Sequence, residues 1–447
     1  MFRGVLLISL GFFILFDPSH VISETLKGAI AKAYLSNPLL QATRAKLRSI
    51  DEGVSQAKSG WRPKLNLELD AGQKRVDSGK GWENRTPRTG SLSIEQSLFD
   101  GWRTKWDVEN AKQAVFEQRA QLTLIEQNVL FEAVNVYMDV LRDKAVFSLN
   151  LSNESVVKRQ LEATKDRFDV GEVTRTDVAQ SEARLSRATA DRIQAKGLLS
   201  MSRARYRRVI GDHPGTLKPA PAVEGLPKSE REAITLAKRN NPEILKLVHR
   251  SEGARLAIKR AEGGLYPTVD IEGNFKRKDE ATSTTSSSEE TSIIATISIP
   301  LYKGGAVSSR IRAAKQNWAY ERRNLDVAIW KIEQETSQSW QEHETPKARV
   351  KALSSEVRAA RIALDGVEQE AGVGSRSVLD VLDAGQELLD ARVNLVKAQR
   401  EVTVSGFKLR RSIGTLFASK MDLGIKLYDP KLYQEHQEDK LFGKTLN

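Results

Sequence analysis

Two acidic residues in the last quarter of the chain, Asp380 and Asp383, have the type and spacing to act on ions. They lie three residues apart in a segment with helical periodicity, and both carboxylates point away from its apolar stripe. That stripe consists of Val381, Leu388, Ala391 and Leu395. Carboxylates repeated around one axis would repel each other and attract cations. If the chain surrounds a lumen, Asp380 and Asp383 are therefore candidates for a cation-selective constriction.

Asp380 also fits a purely structural role. Ser377 precedes it by three residues, and this spacing is a capping-box pattern, in which side chains satisfy the free N–H groups at the start of a helix. Thr174 and Asp177 repeat the pattern in the first half of the chain. Both interpretations stay open for Asp177 and Asp380. Asp383 has no capping partner, and its alternative is an ordinary exposed charge.

Residue sets typical of enzymes are missing from the sequence. The five histidines are scattered without metal-ligand spacing, and the absence of cysteine excludes thiolate chemistry and Cys-ligated metal. We therefore predict no enzyme activity, no catalytic residue, no metal and no cofactor. The 70 Lys and Arg are interspersed with 58 Asp and Glu, which is typical of solvated helix faces, so the net charge of +12 does not predict nucleic-acid binding.

The acidic pair belongs to a turn, Val373–Asp383, that lies between two long helical patterns. A similar turn, Val170–Val178, occupies the same place in the first half. Internal repetition extends well beyond the turns and indicates a duplicated chain. Asn37-Pro38 and Gly60-Trp61-Arg62-Pro63 recur as Asn241-Pro242 and Gly264-Leu265-Tyr266-Pro267, and the heptad positions Val108, Val115, Leu122 and Val129 recur as Ile311, Trp318, Leu325 and Ile332.

Each repeat is predicted to contain an opening helix, two strands, a long helix, a turn and a shorter return helix. The first repeat is 24–212, with strands at about 64–76 and 90–99, a long helix at 101–170 and a return helix at 177–210. A Pro-rich linker at 213–228 leads to the second repeat, 229–415, with strands at about 268–277 and 292–301, a long helix at 307–371 and a return helix at 380–412. A charged tail, 416–447, follows.

The helix lengths constrain how each repeat packs. A return helix covers only half of its long helix at 1.5 Å per residue, so we expect the opening helix, 24–60 in the first repeat, to stack end to end with it. Pro346 lies inside the second long helix and is expected to kink or locally open it.

The N-terminal segment, 1–23, predicts a secretory signal peptide. Arg3 precedes an apolar run of about 13 residues, which is shorter than the roughly 20 needed to span a bilayer, and Val21-Ile22-Ser23 is an acceptable cleavage pattern.

Both strand pairs alternate apolar and polar residues, as in Leu65, Leu67 and Leu69. This alternation is typical of a transmembrane β-barrel, and a soluble sandwich is the alternative. The signal peptide and the long helices favour the barrel. Four strands cannot close a barrel alone, because open edges in lipid would leave backbone groups unpaired, so several chains must share one barrel.

The chain resembles the TolC-type outer-membrane factor family, the exit ducts of type I secretion and multidrug efflux. The resemblance covers nearly the whole mature chain. It rests on the duplicated layout, on Leu98-Phe99-Asp100-Gly101 and Pro300-Leu301-Tyr302-Lys303-Gly304-Gly305 at the strand-to-helix junctions, and on the two turns. It implies a homotrimer with a 12-stranded β-barrel in the outer membrane on a 12-helix periplasmic α-barrel.

The resemblance also implies roles at the turns. Asp380 and Asp383 would surround the periplasmic aperture, and Arg376 would link to Thr176 and Asp177 of the neighbouring hairpin as a gating latch. The sequence departs from the family at Ala371 and Gly372, where a tyrosine is common, so a tyrosine hydrogen bond in the latch is not expected.

The function implied is an outer-membrane exit duct, projecting into the periplasm, that passes drugs, small toxic compounds or secreted proteins. The implied partners are two further copies of the chain, a periplasmic adaptor, an inner-membrane transporter and outer-membrane lipid. The alternative is a periplasmic coiled-coil scaffold or adaptor without a channel, which predicts helical hairpins without the strand pairs. The substrate is not encoded legibly in the sequence.

Overall fold

The computed structural model of the chain describes residues 24–77, 79, 81–437 and 440. The predicted signal peptide lies outside the described residues. The first repeat contains α1 (Leu26–Ser36), α2 (Pro38–Lys58), β1 (Lys64–Ala71), β2 (Lys74–Asp77), β3 (Trp82–Arg85), β4 (Arg88–Phe99), α3 (Arg103–Asp169) and α4 (Arg175–Ile210). The second contains α5 (Glu230–Asn240), α6 (Pro242–Glu262), β5 (Thr268–Asp279), β6 (Ser287–Ser298), α7 (Ala306–Gly372) and α8 (Val378–Ser412), and α9 (Leu432–Gln437) follows.

The two repeats match element by element. The long helices α3 and α7 have 67 residues each, or roughly 100 Å at 1.5 Å per residue. Helices α1 and α5 have 11 residues each, and α2 and α6 have 21 each. The prediction of a duplicated, mainly helical chain with a small β part is confirmed.

The prediction of one opening helix in each repeat is wrong, because each repeat opens with two helices. Asn37 and Asn241 have extended backbones, since a residue before proline is pushed out of the helical region. The proline that follows each has no N–H to continue the preceding helix. The Asn37 Oδ1 accepts hydrogen bonds from the backbone N–H groups of Leu39 and Leu40, at 3.0 and 3.3 Å, and so caps α2.

The shorter helices meet end to end beside the long ones. Helix α3 packs against both α2 and α4, and α7 packs against both α6 and α8. At the first joint the Ser36 hydroxyl donates to the Ile210 carbonyl, at 3.0 Å. At the second joint the Asn241 Nδ2 donates to the Ser412 carbonyl, at 2.9 Å. Each long helix is therefore covered over most of its length by two stacked partners.

Helix α7 runs from Ala306 to Gly372 with Pro346 in its interior, and the kink or local opening expected at Pro346 stays a prediction. Both long helices follow residues with a left-handed backbone, Trp102 (φ 66°) and Gly305 (φ 78°). Among the described residues, no helix combines the length and apolar character that crossing a membrane requires.

The main sheet is antiparallel, with strand order β1-β4-β5-β6. Its pairing places Leu65 opposite Ile94, and Leu67 opposite Leu92. The Leu67 and Ile297 side chains are 68% and 66% exposed, so one face of the sheet presents apolar side chains on the surface of the chain. β1 and β6 are the two edges of this sheet.

The connection between β1 and β4 contains the hairpin β2–β3. Its register pairs Asp77 with Trp82, and the turn between them passes through Gly79 and Gly81, which both have positive φ. The Arg75 guanidinium lies 4.9 Å from the centre of the Trp82 ring and stabilises the hairpin.

The largest apolar core lies where α1, α2, α3 and α4 meet. Within it Tyr137 is fully buried, and its hydroxyl lies within hydrogen-bonding distance of the carbonyls of Glu24 and Lys218, at 2.9 and 2.7 Å. The start of the predicted Pro-rich linker is thereby fixed to the start of the described chain. The described part of the tail contacts α2, because the Tyr433 hydroxyl donates to Glu52, at 2.7 Å.

Candidate functional site

The two predicted turns have the same backbone construction. Helix α3 ends before Gly171 (φ 82°) and α7 ends before Gly374 (φ 79°), and both glycines adopt a left-handed conformation that suits a residue without Cβ. The Glu172 N–H donates to the Arg167 carbonyl and the Ser375 N–H to the Glu370 carbonyl, each at 2.9 Å. These bonds close each long helix and reverse the chain into α4 or α8.

Both return helices begin with a capping box. The Asp177 Oδ2 accepts from the Thr174 N–H, at 2.8 Å, and the Asp380 Oδ2 accepts from the Ser377 N–H, at 2.9 Å. Each hydroxyl in return accepts from the N–H of its aspartate. The capping interpretation of Asp177 and Asp380 is confirmed. Hydrogen bonds from Thr174 and Ser377 lower the pKa of Asp177 and of Asp380 below the ordinary carboxyl range.

Arg376 lies in the turn between α7 and α8, and its partner in the chain is Glu370. The Arg376 Nε donates to the Glu370 Oε2, at 2.8 Å, across the end of α7. Thr176 is exposed at the start of α4, next to the partly buried Asp177. The described contacts do not bring Arg376 to Thr176 or Asp177, and the latch between neighbouring hairpins stays a prediction.

Asp383 lies one turn after Asp380 on α8, with 56% of its side chain exposed. Its carboxylate binds the guanidinium of Arg184 on α4. Arg184 was not predicted, because it lies 199 residues from Asp383 in the sequence. The structure therefore joins the two hairpins, α3–α4 and α7–α8, through one of the predicted aperture residues.

A second ionic contact joins the hairpins further from the turns. The Arg400 guanidinium on α8 lies 3.0 Å from the Asp139 carboxylate on α3 and donates to the Asn135 Oδ1, at 3.1 Å. Arg142 also binds Asp139, at 3.0 Å, and its Nε donates to the Asp143 Oδ1, at 2.7 Å. With side-chain exposures of 22% for Arg400 and 16% for Asp139, this network is more enclosed than the contact at the tips.

The histidines serve structural roles where their contacts are described. The buried His343 ring on α7 contacts the Ser405 hydroxyl on α8, at 3.1 Å, and His249 contacts Gln113, at 2.9 Å. Within the ranges that the structure describes, His, Asp and Glu form no group able to hold a metal ion.

These observations define a class. A duplicated chain with two helices of roughly 100 Å, a small exposed sheet at one end and two capped, charged turns at the other has the architecture of an outer-membrane export channel. The comparison with known families agrees: residues 29–212 and 233–415 match the family described as outer membrane efflux protein. The chain belongs to this family, and it is an exit duct of the outer membrane.

The relatives support the same assignment. The chain is 36% identical over 425 residues to the outer membrane efflux protein BepC of Brucella suis, which covers 94% of this chain and 92% of the relative. It is 25% identical over 411 residues to the outer membrane protein TolC of Escherichia coli, covering 88% of this chain and 83% of the relative. The alkaline protease secretion protein AprF of Pseudomonas aeruginosa is 24% identical, over 74% of this chain and 71% of its own.

Solved structures share the fold. The outer-membrane channel OprN superimposes with a TM-score of 0.76 at 20% identity, covering 87% of this chain and 90% of that one. The Campylobacter jejuni outer membrane channel CmeC superimposes with a TM-score of 0.78 at 14% identity, covering 93% of this chain and 90% of that one.

The alternative of a periplasmic scaffold without a channel predicted helical hairpins without strand pairs. The four-stranded sheet argues against this alternative.

Proposed function

We propose that three copies of the chain assemble into one duct, which receives its substrates from an inner-membrane pump and a periplasmic adaptor. Four strands from each copy would form one closed barrel of twelve, and the long and return helices would form a tunnel beneath it. The tips of the hairpins would surround the periplasmic aperture, with Asp380 and Asp383 facing the lumen. The chain itself contributes a passive path, so the pump and adaptor select the cargo.

The observation that carries this proposal is the pair of unpaired sheet edges. β1 and β6 end the sheet, and their apolar side chains are exposed, as Leu67 and Ile293 show at 68% and 82%. An open edge in lipid leaves N–H and C=O groups without partners, at a cost of several kcal/mol for each group. Joining β6 of one copy to β1 of the next removes that cost. The number three rests on the family resemblance, because other counts of strands also close barrels.

The relatives suggest two classes of cargo. BepC is named as an efflux protein, and AprF is named for secretion of an alkaline protease. Small toxic compounds and secreted proteins are therefore both candidates for this duct. Purifying the chain from its native envelope together with its pump would separate them, because the class of the pump fixes the class of the cargo.

The assembly is tested by extracting the chain from outer membranes in detergent and measuring its mass and its conductance in planar bilayers. We expect a trimer that gives uniform conductance steps. Leu67→Arg places a charge on the apolar face at a cost of about 2–4 kcal/mol and should reduce the membrane-embedded fraction. Asn66→Arg is the matched control. It adds the same charge on the opposite face of the sheet and should leave the membrane-embedded fraction unchanged. A monomer released with the periplasmic fraction would contradict the proposal.

A further inference from the structure

Arg184 connects the two hairpins near their tips. It extends from α4, and its guanidinium binds the carboxylate of Asp383 on α8. Other charged groups on α4 near this contact have partners elsewhere. Glu182 binds Lys165 of α3, at 2.9 Å, and Arg187 lies 4.0 Å from Asp191 on its own helix. Arg184 is therefore placed differently from its charged neighbours on α4, because its partner belongs to the other hairpin.

The surroundings hold the Arg184 side chain in place. Only 28% of it is exposed, against 64% for Arg187 one turn later. Arg184 and Arg187 both line a cavity of about 60 Å³ between the hairpins, together with Val381, Leu382 and Gln386 of α8, so the lower exposure of Arg184 and its ion pair distinguish it from Arg187. An arginine with an enclosed stem loses little further freedom when its planar head binds a carboxylate. The Asp383 side of the pair stays 56% exposed and open to ions.

The ionic contacts between the two hairpins differ along their length. Away from the tips, Arg400, Asp139 and Arg142 form a network with several hydrogen bonds and low exposure. At the tips, Arg184 and Asp383 form a single, more exposed pair. Exposed ion pairs contribute little to stability, whereas enclosed networks resist separation. A parting of the hairpins would therefore break the Arg184–Asp383 pair and leave the Arg400 network intact.

We propose that Arg184 is the selectivity-determining partner of Asp383, so that the charge of the aperture depends on whether the hairpins are closed or parted. In the closed state the guanidinium compensates the carboxylate. In the parted state the pair separates, and the freed carboxylate faces the passing ions. This inference rests on the proposed function, because it needs the tips of several copies to surround one lumen.

The test compares single-channel recordings of full-length variants in planar bilayers. Arg184→Gln should raise the conductance and the permeability ratio of cations to anions, and a trivalent cation such as hexamminecobalt should block it at about tenfold lower concentration. Asp383→Asn should lower the cation preference and weaken the block, because it leaves Arg184 unpaired. The double variant, Arg184→Gln with Asp383→Asn, should return the permeability ratio towards wild type while the conductance stays raised, since the net charge is restored but the connection is not.

Two further variants separate the pair from general effects of charge. Arg187→Gln removes the same charge from the same helix, and it should change the permeability ratio much less than Arg184→Gln. The exchange of Arg184→Asp with Asp383→Arg should restore the conductance of wild type, because it rebuilds the ion pair in reverse. If Arg187→Gln and Arg184→Gln change conductance and selectivity equally, or if neither variant changes them, Arg184 is not the selectivity-determining partner of Asp383. If wild-type trimers show no conductance at all, the proposed function itself fails.

Discussion

At the scale of single residues, Asp380 serves the helix and retains its charge. Its capping bonds from Ser377 lower its pKa below the ordinary value of 3.8. A carboxyl whose folded pKa is below its unfolded value contributes stability above the unfolded value, and this contribution is lost as the pH falls through the folded pKa. Asp380 is therefore both capped and charged throughout the neutral and mildly acidic range, so its structural role is compatible with a role in ion selectivity.

Arg376 gives a prediction at the same scale. Its guanidinium binds Glu370 within its own turn, at 2.8 Å, and the Arg376 side chain stays 52% exposed at the tip. Arg376→Ser should raise the single-channel conductance, because a surface latch contributes only about 0–1 kcal/mol per copy and its loss shifts the balance towards opening. Arg175→Ser, which changes an exposed arginine at the other tip, is the control. Unchanged conductance of Arg376→Ser would remove Arg376 from the latch.

Asp51 is a buried acid that the tips do not involve. Its side chain on α2 lies under the tail, 4% exposed, and neither of its carboxylate oxygens has a hydrogen-bond partner. Burial raises its pKa to about 6, although the positive charge of Arg119 opposes the shift. Between 3.8 and about 6 the folded state binds more protons than the unfolded state, so stability falls as the pH rises through this window.

Asp51→Asn should therefore stabilise the chain at neutral pH. It removes the cost of a buried, unpaired charge, and the apparent unfolding temperature, followed by tryptophan fluorescence in detergent, should rise by roughly 2 °C or more. The gain should shrink as the pH falls towards 3.8, where Asp51 is protonated in both states. Asp212→Asn is the control. It should lower the unfolding temperature at neutral pH, because hydrogen bonding from Lys32 lowers the pKa of Asp212 in the folded state. If the rise in unfolding temperature of Asp51→Asn does not depend on pH, the raised pKa of Asp51 is not its cause.

At the scale of elements, the joints between stacked helices are the feature that the duplication repeats. At the second joint Asn241 acts twice: its Oδ1 accepts from the Glu243 N–H, at 2.9 Å, and its Nδ2 donates to the Ser412 carbonyl. Gly414 follows with φ 70°, and a Cβ there would lie 2.4 Å from the Asn240 carbonyl oxygen. The close approach of the chain after α8 to the junction of α5 and α6 therefore depends on a small residue and on one amide side chain.

Asn241→Ala should destabilise this joint by about 1–2 kcal/mol, because it removes both the cap and the bond across the joint. Asn241→Asp keeps the capping acceptor and loses the donor, so it should recover part of that loss. Hydrogen exchange of the first turn of α6 and the apparent unfolding temperature measure both effects. If Asn241→Asp were as stable as wild type, the bond to Ser412 would contribute nothing, and equal behaviour of the two variants would show that the cap contributes nothing.

Also at the scale of elements, the opening helices show where local patterns mislead. Helical periodicity continues across Asn37-Pro38, and this continuity suggested a single helix. The decisive signals were local all the same: a proline without an N–H and an asparagine able to cap the next helix. The same pair of residues starts α6. In α7 the interior Pro346 does not end the helix, which runs from Ala306 to Gly372.

At the scale of the whole molecule, the chain places its apolar sheet and its charged tips at opposite ends of the long helices. The sheet presents exposed apolar side chains such as Leu67, and the tips present charged groups such as Asp383 and Arg376. One end therefore suits lipid and the other suits water and ions. This polarity is the physical basis for an exit duct that reaches from the outer membrane into the periplasm.

The sequence by itself determined the features that depend on neighbours along the chain. The duplication, the alternation of the strands, the capping boxes at Asp177 and Asp380 and the turns at Gly171 and Gly374 are all encoded within a few residues, where backbone geometry is set locally. The tertiary structure alone decided which charges meet. Arg184 contacts Asp383, 199 residues away, because the packing of the two hairpins sets which helix faces meet. The local periodicity of the sequence does not contain this relative rotation of the helices.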